Sequence, residues 1–457
     1  MMLPFQYITF CQINQVCSLV MLYNQSMRIY FSGLGGVGIG PLAEITLDAG
    51  YGVVGSEPQP NPMTEQLENR GVTIYSEQTG QELATEHNKS PINLLVHTSA
   101  MASNHPELIA ARELGIPTTK RDGLIAKIIT DKQLKLIAVA GTHGKTTTTG
   151  MLIWLFRQLS LPVSYSIGAT IGFGPSGLFD PDSNYFIYEC DEFDRNFLHF
   201  HPDLSLITSI GYDHVDTYPT EGDYRQAFRD FLQQSQKTVL YRSDADKLYQ
   251  TNNIATPETL DVLDDVNLEI DRLMRLAGAH NRRNAWLACR AFSHLTQAAP
   301  PDLDQTRLTK IVNTFPGTNR RFEKLSDSLY SDYGHHPDEI RATLQMAKEI
   351  SSHVVLVYQP HQNIRQHDVR EQYTDDLFKN ADEVYWLPTY LSREDPNLEI
   401  LSPQSLTESL DKNKLSFAEF NQELWDNIQK HLDDNHLVLC MGAGSIDGWV
   451  REQIAKS

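Results

Sequence analysis

The stretch "LKLIAVAGTHGKTTTTGMLIWLFRQL", Leu134–Leu159, decides how the chain is read. It opens with an apolar run short enough for a buried strand, and "KTTTTGMLIWLFRQL" carries apolar residues at helical spacing. Between them lies a loop with Gly141 and with Gly144 directly before Lys145. Strand, glycine loop and helix in that order bring backbone N–H groups and a helix N-terminus against phosphate oxygens. The four threonines Thr146 to Thr149 are poor material for a helix interior, because β-branching restricts χ1 there. At a helix start their hydroxyls are useful. They can cap free N–H groups, and the one directly after the lysine can ligate Mg2+ while Lys145 reaches the β- and γ-phosphates. The usual P-loop also has a glycine five residues before Gly144; here Val139 stands in that place, so the permissive part of the loop is shorter.

Working outward, "YECDEFD" supplies Glu189, Asp191, Glu192 and Asp194 at the end of a predicted strand, and "GYDHVDTY" adds Asp213, His214 and Asp216 at the end of the next. Mg2+ takes hard oxygen ligands beside phosphates, and in an open parallel sheet ligands gather beyond the carboxyl ends of the strands. Further on, Arg320 and Arg321 of "NRRFE", His335 and His336 of "SDYGHHPDE" and His361 of "YQPHQNIR" place cationic groups where a domain could close over ATP. Near the start, "RIYFSGLGGVGIG" has Gly33, Gly35 and Gly38 as G-x-G-x-x-G after a predicted strand, with Glu57 about 20 residues on. That pattern serves NAD and other nucleoside diphosphates alike.

With 457 residues the chain exceeds one typical core, and its strands alternate with helices in three blocks. The expected fold is α/β in three domains: a Rossmann-like domain at 27–121, a central P-loop parallel-sheet ATPase domain at 122–316, and a C-terminal Rossmann-like domain at 317–457. A formal net charge of -20 argues against general binding of nucleic acid or of membrane surfaces. The five cysteines, Cys11, Cys17, Cys190, Cys289 and Cys440, are scattered without C-x-x-C spacing, which supports neither a zinc ribbon nor a disulfide framework; a reducing cytoplasm is the expected compartment. Residues 1–26 are apolar but lack a basic start, and Gln6, Gln12, Asn14 and Gln15 interrupt the run. The natural chain is expected to begin at Met27.

Taken in order, "GLGGVGIGPLAE", "AGTHGKTTTTG", "ECDEFDRNFLHF", "DHVDTY", "GAHNRRNAWLA", "RRFE", "DYGHHP", "QPH" and "MGAGSI" resemble the Mur ligase family, the ATP-dependent amide ligases of peptidoglycan synthesis, and within it the alanine-adding branch. The resemblance spans residues 27 to about 450. The family's loop is G-T-x-G-K-T, which does not need the glycine missing at Val139, and His143 fills its variable position. The resemblance implies an ATP site of Gly141, Thr142, His143, Gly144, Lys145, Thr146, Thr147, His280, Asn281, Arg321 and Asp332. It implies Mg2+ at Thr146, Glu189 and His214, a UDP-sugar site at Gly33, Gly35, Gly36, Gly38, Ser56 and Ser99, and an amino-acid pocket at Tyr333, His361 and Arg365. Lys145, His214 and Arg365 would carry catalysis. Two departures stand out: Gln362 follows the "QPH" run where that branch usually has arginine, and Glu57 stands where Asp is common. The lysine that related ligases carbamylate has no counterpart between His214 and Lys237, in keeping with the alanine-adding branch.

The implied substrates are UDP-N-acetylmuramate and L-alanine, joined through an acyl phosphate by a cytoplasmic monomer or homodimer without stable membrane association. Three alternatives stay open on the residues. They are a ligase that adds a whole tripeptide to the same sugar nucleotide, a nicotinamide-dependent oxidoreductase built on the first glycine loop, and a nucleotide-binding protein that no longer ligates.

Overall fold

The computed structural model describes residues 27–98, 100–214, 217–250, 254–295, 303–392 and 394–456. The expectations for residues 1–26, Ser99 and Asp216 lie outside the described residues. The described residues form two compact units: one holds those from Met27 to Leu134 together with Gly177–Ser183, the other Lys135–Ser176 and those from Asn184 to Lys456.

The first unit is built on five parallel strands, β1 (Arg28–Ser32), β2 (Gly52–Ser56), β3 (Thr73–Tyr75), β4 (Leu94–His97) and β5 (Thr118–Lys120), in the order β3-β2-β1-β4-β5. Helices α1 (Gly40–Asp48), α2 (Pro62–Asn69), α3 (Gln81–Lys89) and α4 (Pro106–Glu113) connect them, and α5 (Arg121–Asp131) follows β5. Ile29, Tyr30 and Phe31 of β1 are wholly buried, as a central strand covered on both faces demands. The strand order reverses direction at β1, so the Gly33 loop emerges at a topological switch point.

The second unit carries two sheets. In the central one, β6 (Lys135–Ala140), β7 (Ser164–Ser166), β8 (Tyr185–Glu189), β9 (Leu204–Ile207), β10 (Thr238–Tyr241) and β11 (Leu260–Leu263) run in the order β11-β10-β9-β6-β8-β7, all parallel. Helix α6 (Lys145–Gln158) follows the glycine loop, with α7 (Glu221–Gln234), α8 (Arg242–Tyr249), α9 (Leu268–Leu273), α10 (Ala279–Phe292) and α11 (Gln305–Val312) after it. Phe156 of α6 meets Phe292 of α10 edge-on at 5.0 Å, which fixes the helix that carries the loop against its neighbour. The other sheet runs β12-β13-β17-β14-β15-β16, from β12 (Glu323–Ser326), β13 (Leu329–Asp332), β14 (Val354–Tyr358), β15 (Glu383–Trp386), β16 (Leu415–Phe417) and β17 (Leu437–Met441). Only the β12/β13 hairpin in it is antiparallel. Its helices are α12 (Pro337–Ile350), α13 (Asn363–Val369), α14 (Pro403–Leu406), α15 (Gln422–Asp433) and α16 (Ile446–Lys456).

The three α/β cores answer the fold expected from the sequence. The expected capping role of the threonines does not hold: the N-cap of α6 is Gly144, which offers no side-chain bond, Thr148 and Thr149 are buried, and Thr146 Oγ1 is spent on Glu189. The α12 start is better served. His336 accepts from Asp338 N–H, Glu339 reaches back to the His336 N–H, and Pro337 fills the first helical position. No described helix is long and apolar enough to cross a membrane.

Candidate active site

Three strand ends of the central sheet lie side by side. β6 pairs with β9 at Ala140↔Ile207 and with β8 at Val139↔Glu189, so the glycine loop, Glu189 and the segment from Thr208 leave one edge together. That segment fastens the loop: Thr142 N–H donates to Ser209 O (3.0 Å), Thr142 Oγ1 to Gly211 O (2.8 Å) and Thr208 Oγ1 to His143 O (2.6 Å). Gly141 has φ +133°, and a Cβ there would stand 2.4 Å from Thr208 Oγ1. Gly144 has φ +87°, and its Cβ would stand 2.9 Å from Asn284 Nδ2 of α10. Neither place admits another residue without strain and a clash.

Lys145 Nζ donates to Glu192 Oε2 at 2.5 Å and lies 3.9 Å from Asp191. Glu192 is wholly buried; its Oε1 has no hydrogen-bond partner and faces His214 Nε2 at 3.6 Å. Burial opposes both charges of the Lys145–Glu192 pair, but each partner outweighs it, so the lysine is held above and the carboxyl below its ordinary range. Burial likewise opposes the charge of Asp213, yet His214 and Arg365 hold its carboxyl down at about 2. Burial works against a charged His214 too, and Glu192 and Asp213 overcome it, raising its pKa.

Thr146 Oγ1 donates to Glu189 Oε1 (2.7 Å), whose Oε2 accepts from Gly168 N–H (2.7 Å). Of the three residues read as metal ligands, Thr146 and Glu189 are therefore joined, while His214 groups with Asp191 and Glu192, their ligand atoms within 4.8 Å of one another. Oxygen donors with one imidazole, and an unpaired buried carboxylate oxygen among them, fit a divalent cation beside a phosphate. Glu192 as the partner of Lys145 escaped the sequence reading. Four acids crowd "ECDEFD", and sequence spacing does not say which of them turns toward the lysine; directly after Glu192 the chain takes a tight turn, Phe193–His199, with Asp194 and Arg195 at φ of 54° and 57°.

A cavity of about 360 Å³ opens beside the loop. His143, Gly144, Thr146 and Thr147 line it from the loop and α6, His280 and Asn281 from α10, and Arg321 and Asp332 from the β12/β13 region. Asp332 accepts from the N–H groups of Phe322 and Gly334, both at 2.7 Å, and its burial pushes its carboxyl up to about 6. Burial pushes His280 down to about 4. Gly141, Thr142 and Lys145 stand behind this lining rather than in it.

A second cavity, about 400 Å³, is lined by Asp213, His214, His335, His336, Gln362 and Arg365 among others. Arg365 Nη1 donates to His335 Nε2 at 2.8 Å. Tyr333 and His361 are outside that lining: the Tyr333 ring faces the guanidinium groups of Arg320 (4.7 Å) and Arg321 (5.1 Å), and His361 stacks on Tyr390. The rings of His143, from the first lining, and His336, from the second, stand 5.0 Å apart.

In the first unit, Gly33 (φ +84°) turns the chain after β1, and the Gly33 and Leu34 N–H groups donate to Ser56 O. Gly35 N–H donates to Glu57 Oε2 (2.8 Å). The acid that the dinucleotide pattern reserves for a ribose thus closes onto the loop itself. Gly36 and Gly38 continue the loop toward α1, while Ser56 Oγ is buried and accepts from Gln78 Nε2 (3.0 Å).

Residues 28–133 match the Mur ligase family, catalytic domain; residues 139–264 the Mur ligase middle domain; and residues 320–444 the Mur ligase, glutamate ligase domain. The chain is 30% identical to a UDP-N-acetylmuramate–L-alanine ligase of Coxiella burnetii, over 92% of this chain and 96% of that one. Among solved structures it resembles the UDP-N-acetylmuramate–alanine ligase of Thermotoga maritima, with a TM-score of 0.68 at 23% identity, covering 94% of this chain and 99% of that one. It also resembles a murein peptide ligase of Psychrobacter arcticus, with a TM-score of 0.62 at 21% identity, covering 94% and 98%. These matches displace the oxidoreductase alternative: the chain belongs to the Mur ligase family and is an ATP-dependent ligase.

Proposed function

We propose that this ligase joins L-alanine to the lactyl carboxylate of UDP-N-acetylmuramate, through an acyl phosphate, in peptidoglycan precursor synthesis. The observation that carries the reading is that one wall of each cavity, His143 in the first and His336 in the second, stands within 5.0 Å of the other, with Lys145 following His143 in the loop and Glu192 between Lys145 and His214. A phosphoryl donor held in the first cavity then has its γ-phosphate aimed at an acceptor in the second. The near full-length likeness to alanine ligases supports the choice of substrates.

The chemistry follows from the carboxylate, whose charge repels a nucleophile. Its oxygen takes the γ-phosphoryl group and ADP leaves; the neutral amine of alanine then attacks the acyl carbon, and inorganic phosphate departs with the electron pair of the C–O bond and takes up the proton that the amine sheds. Lys145 exchanges Glu192 for phosphate oxygens, and the loop N–H groups around Gly144 steady the developing charge. Thr146, Glu189 and His214, with Asp191 and Glu192, would hold Mg2+, which when bound neutralises charge on the transferring oxygens. Arg365 receives the amino-acid carboxylate in the second cavity, and Tyr333 and His361 support the loops around it. The same reading assigns UDP to Gly33, Gly35, Gly36, Gly38, Ser56 and Ser99, divides the chain into domains at 27–121, 122–316 and 317–457, and places a monomer or homodimer in the cytoplasm.

One observation favours a second reading. Gln362 leaves Arg365 as the single guanidinium among the residues lining a roomy second cavity, and the fold is also that of a murein peptide ligase. A tripeptide acceptor would use that room. Incubating the protein with ATP, Mg2+, UDP-N-acetylmuramate and either free amino acids or tripeptide, with products read by mass, separates the two. Alanine product supports the first reading; tripeptide product alone replaces it; no ATP-dependent product with either overturns both.

A further inference from the structure

We infer that His143, His336 and Asp338 form a second metal site, one for a borderline transition-metal dication of the Zn2+ type, which ties the glycine loop to the first turn of α12. One ligand atom from each lies within 4.8 Å of the others. The group shares no residue with the Asp191–Glu192–His214 cluster. Its chemistry also differs. Two imidazoles and one carboxylate leave a coordination position open and favour Zn2+, Co2+ or Ni2+, whereas Mg2+ prefers oxygen alone.

The surroundings prepare His143 for the role. Its Nδ1 faces Glu339 Oε1 at 3.3 Å, while its Nε2 is buried without a hydrogen-bond partner. A carboxylate on one ring nitrogen holds a proton there and orients the other outward, which is how metal-bound histidines are commonly arranged; burial opposes charge on His143, but Glu339 and Asp213 outweigh it and raise its pKa, so a metal at Nε2 takes the place of a proton. Glu339 is itself fixed, accepting from the His335 and His336 N–H groups. Burial, with the charge of the neighbouring His143, holds His336 below the ordinary imidazole value. Asp338 gives Oδ1 to Arg341 (3.1 Å) and keeps Oδ2 3.8 Å from His336 Nδ1. Asp213 and Glu339 add negative charge around the two rings, against Lys145 as the cation acting on His143. With metal–ligand bonds of about 2.0–2.2 Å, donors around a tetrahedral ion stand roughly 3.4 Å apart, so the three groups close by at most about 1.5 Å. Asp338 is exposed and can turn to do so.

The inference goes beyond the proposed ligase reaction and does not depend on which amino acid is used. In functional terms the site is a brake. Metal bound at His143 joins two walls of the 360 Å³ cavity and obstructs entry of a nucleoside triphosphate there.

The test is a Co2+ titration of the full-length protein without nucleotide, in excess Mg2+, read by the visible d–d absorption of nitrogen-ligated Co2+. Asp338→Asn, an exposed change that should fold normally, is expected to weaken the Co2+ that gives this band at least tenfold, and Glu192→Gln to leave it in place. Absence of the band in the parent protein would overturn the inference. So would a band that survives Asp338→Asn and is lost in Glu192→Gln, since the ion would then sit in the carboxylate cluster.

Discussion

Lys145 Nζ lies 2.5 Å from Glu192 Oε2, and that carboxylate is wholly buried beneath the glycine loop. The lysine of a phosphate-binding loop thus has an internal counter-ion, and without nucleotide its charge is stored against Glu192 rather than hydrated. Such a pair adds little net stability, because desolvation offsets the attraction, but removing one member strands the other.

Lys145→Ala is therefore expected to abolish ATP-dependent ligation and to lower stability by at most about 3–5 kcal/mol, since it leaves buried Glu192 with only the His214 imidazole, 3.6 Å away, to offset its charge. Adding Glu192→Gln should recover most of that loss without restoring turnover. Thermal melts and phosphate release on the two variants check this. A single variant that keeps near-normal turnover would remove Lys145 from the mechanism.

Metal dependence should separate the members of the carboxylate cluster. Thr146 Oγ1 binds Glu189, and Glu192 Oε1 faces His214 without a hydrogen bond, so Glu189→Gln and His214→Ala each remove one donor from a cation site. Both are expected to raise the Mg2+ concentration for half-maximal phosphate release about 10–100-fold. An unchanged Mg2+ curve in either variant would exclude that residue from the site.

Much of this site was legible in the chain because its parts sit at strand ends. Gly141, Gly144 and Lys145 follow an apolar run short enough for a buried strand, and parallel pairing then sets Val139 beside Glu189 and Ala140 beside Ile207. The less legible features depend on contacts distant in sequence or on local backbone turns. The partner of Lys145 stands directly before a turn with positive φ at Asp194 and Arg195, and the closure of Glu57 on Gly35 N–H depends on how β2 leads into its loop. Tyr333 looks like a pocket residue by its neighbours in sequence, yet Arg320 and Arg321 occupy its ring.

His280 predicts a pH dependence. Burial holds its imidazole down at about 4, with Arg282 adding to the effect and Glu349 and Glu339 opposing it. The folded state then binds fewer protons than the unfolded chain between the ordinary value near 6.5 and about 4, so stability falls as pH drops through that window. The loss from this residue amounts to about 3 kcal/mol at pH 4. Asp332, whose carboxyl is pushed up to about 6, acts in the opposite sense and cancels when wild type is compared with His280→Asn. Between pH 7 and pH 4 the stability of wild type should fall relative to that of His280→Asn by about 3 kcal/mol, read from denaturant midpoints of the two proteins at each pH. Parallel curves would mean that His280 titrates normally.

If the second cavity holds the amino-acid carboxylate, as proposed, Gln362 bears on how it does so. Its N–H donates to Tyr390 O (2.8 Å) and its φ is +59°, so the backbone is already in the left-handed region that a non-glycine side chain must tolerate there. Arginine adds no further backbone strain of this kind. Arg365 is the only arginine or lysine among the residues lining the cavity, set against Asp213 and Asp368, and it already spends one N–H on His335. A second guanidinium from Gln362→Arg would offset that negative charge and share the amino-acid carboxylate. A charge-assisted hydrogen bond worth about 1 kcal/mol in a partly hydrated cavity lowers KM for L-alanine about fivefold. KM for ATP should stay the same, because the first cavity does not include residue 362. If the alanine KM is unchanged while that for a tripeptide rises, position 362 contacts the far end of a longer acceptor instead, and the alanine reading loses its pocket.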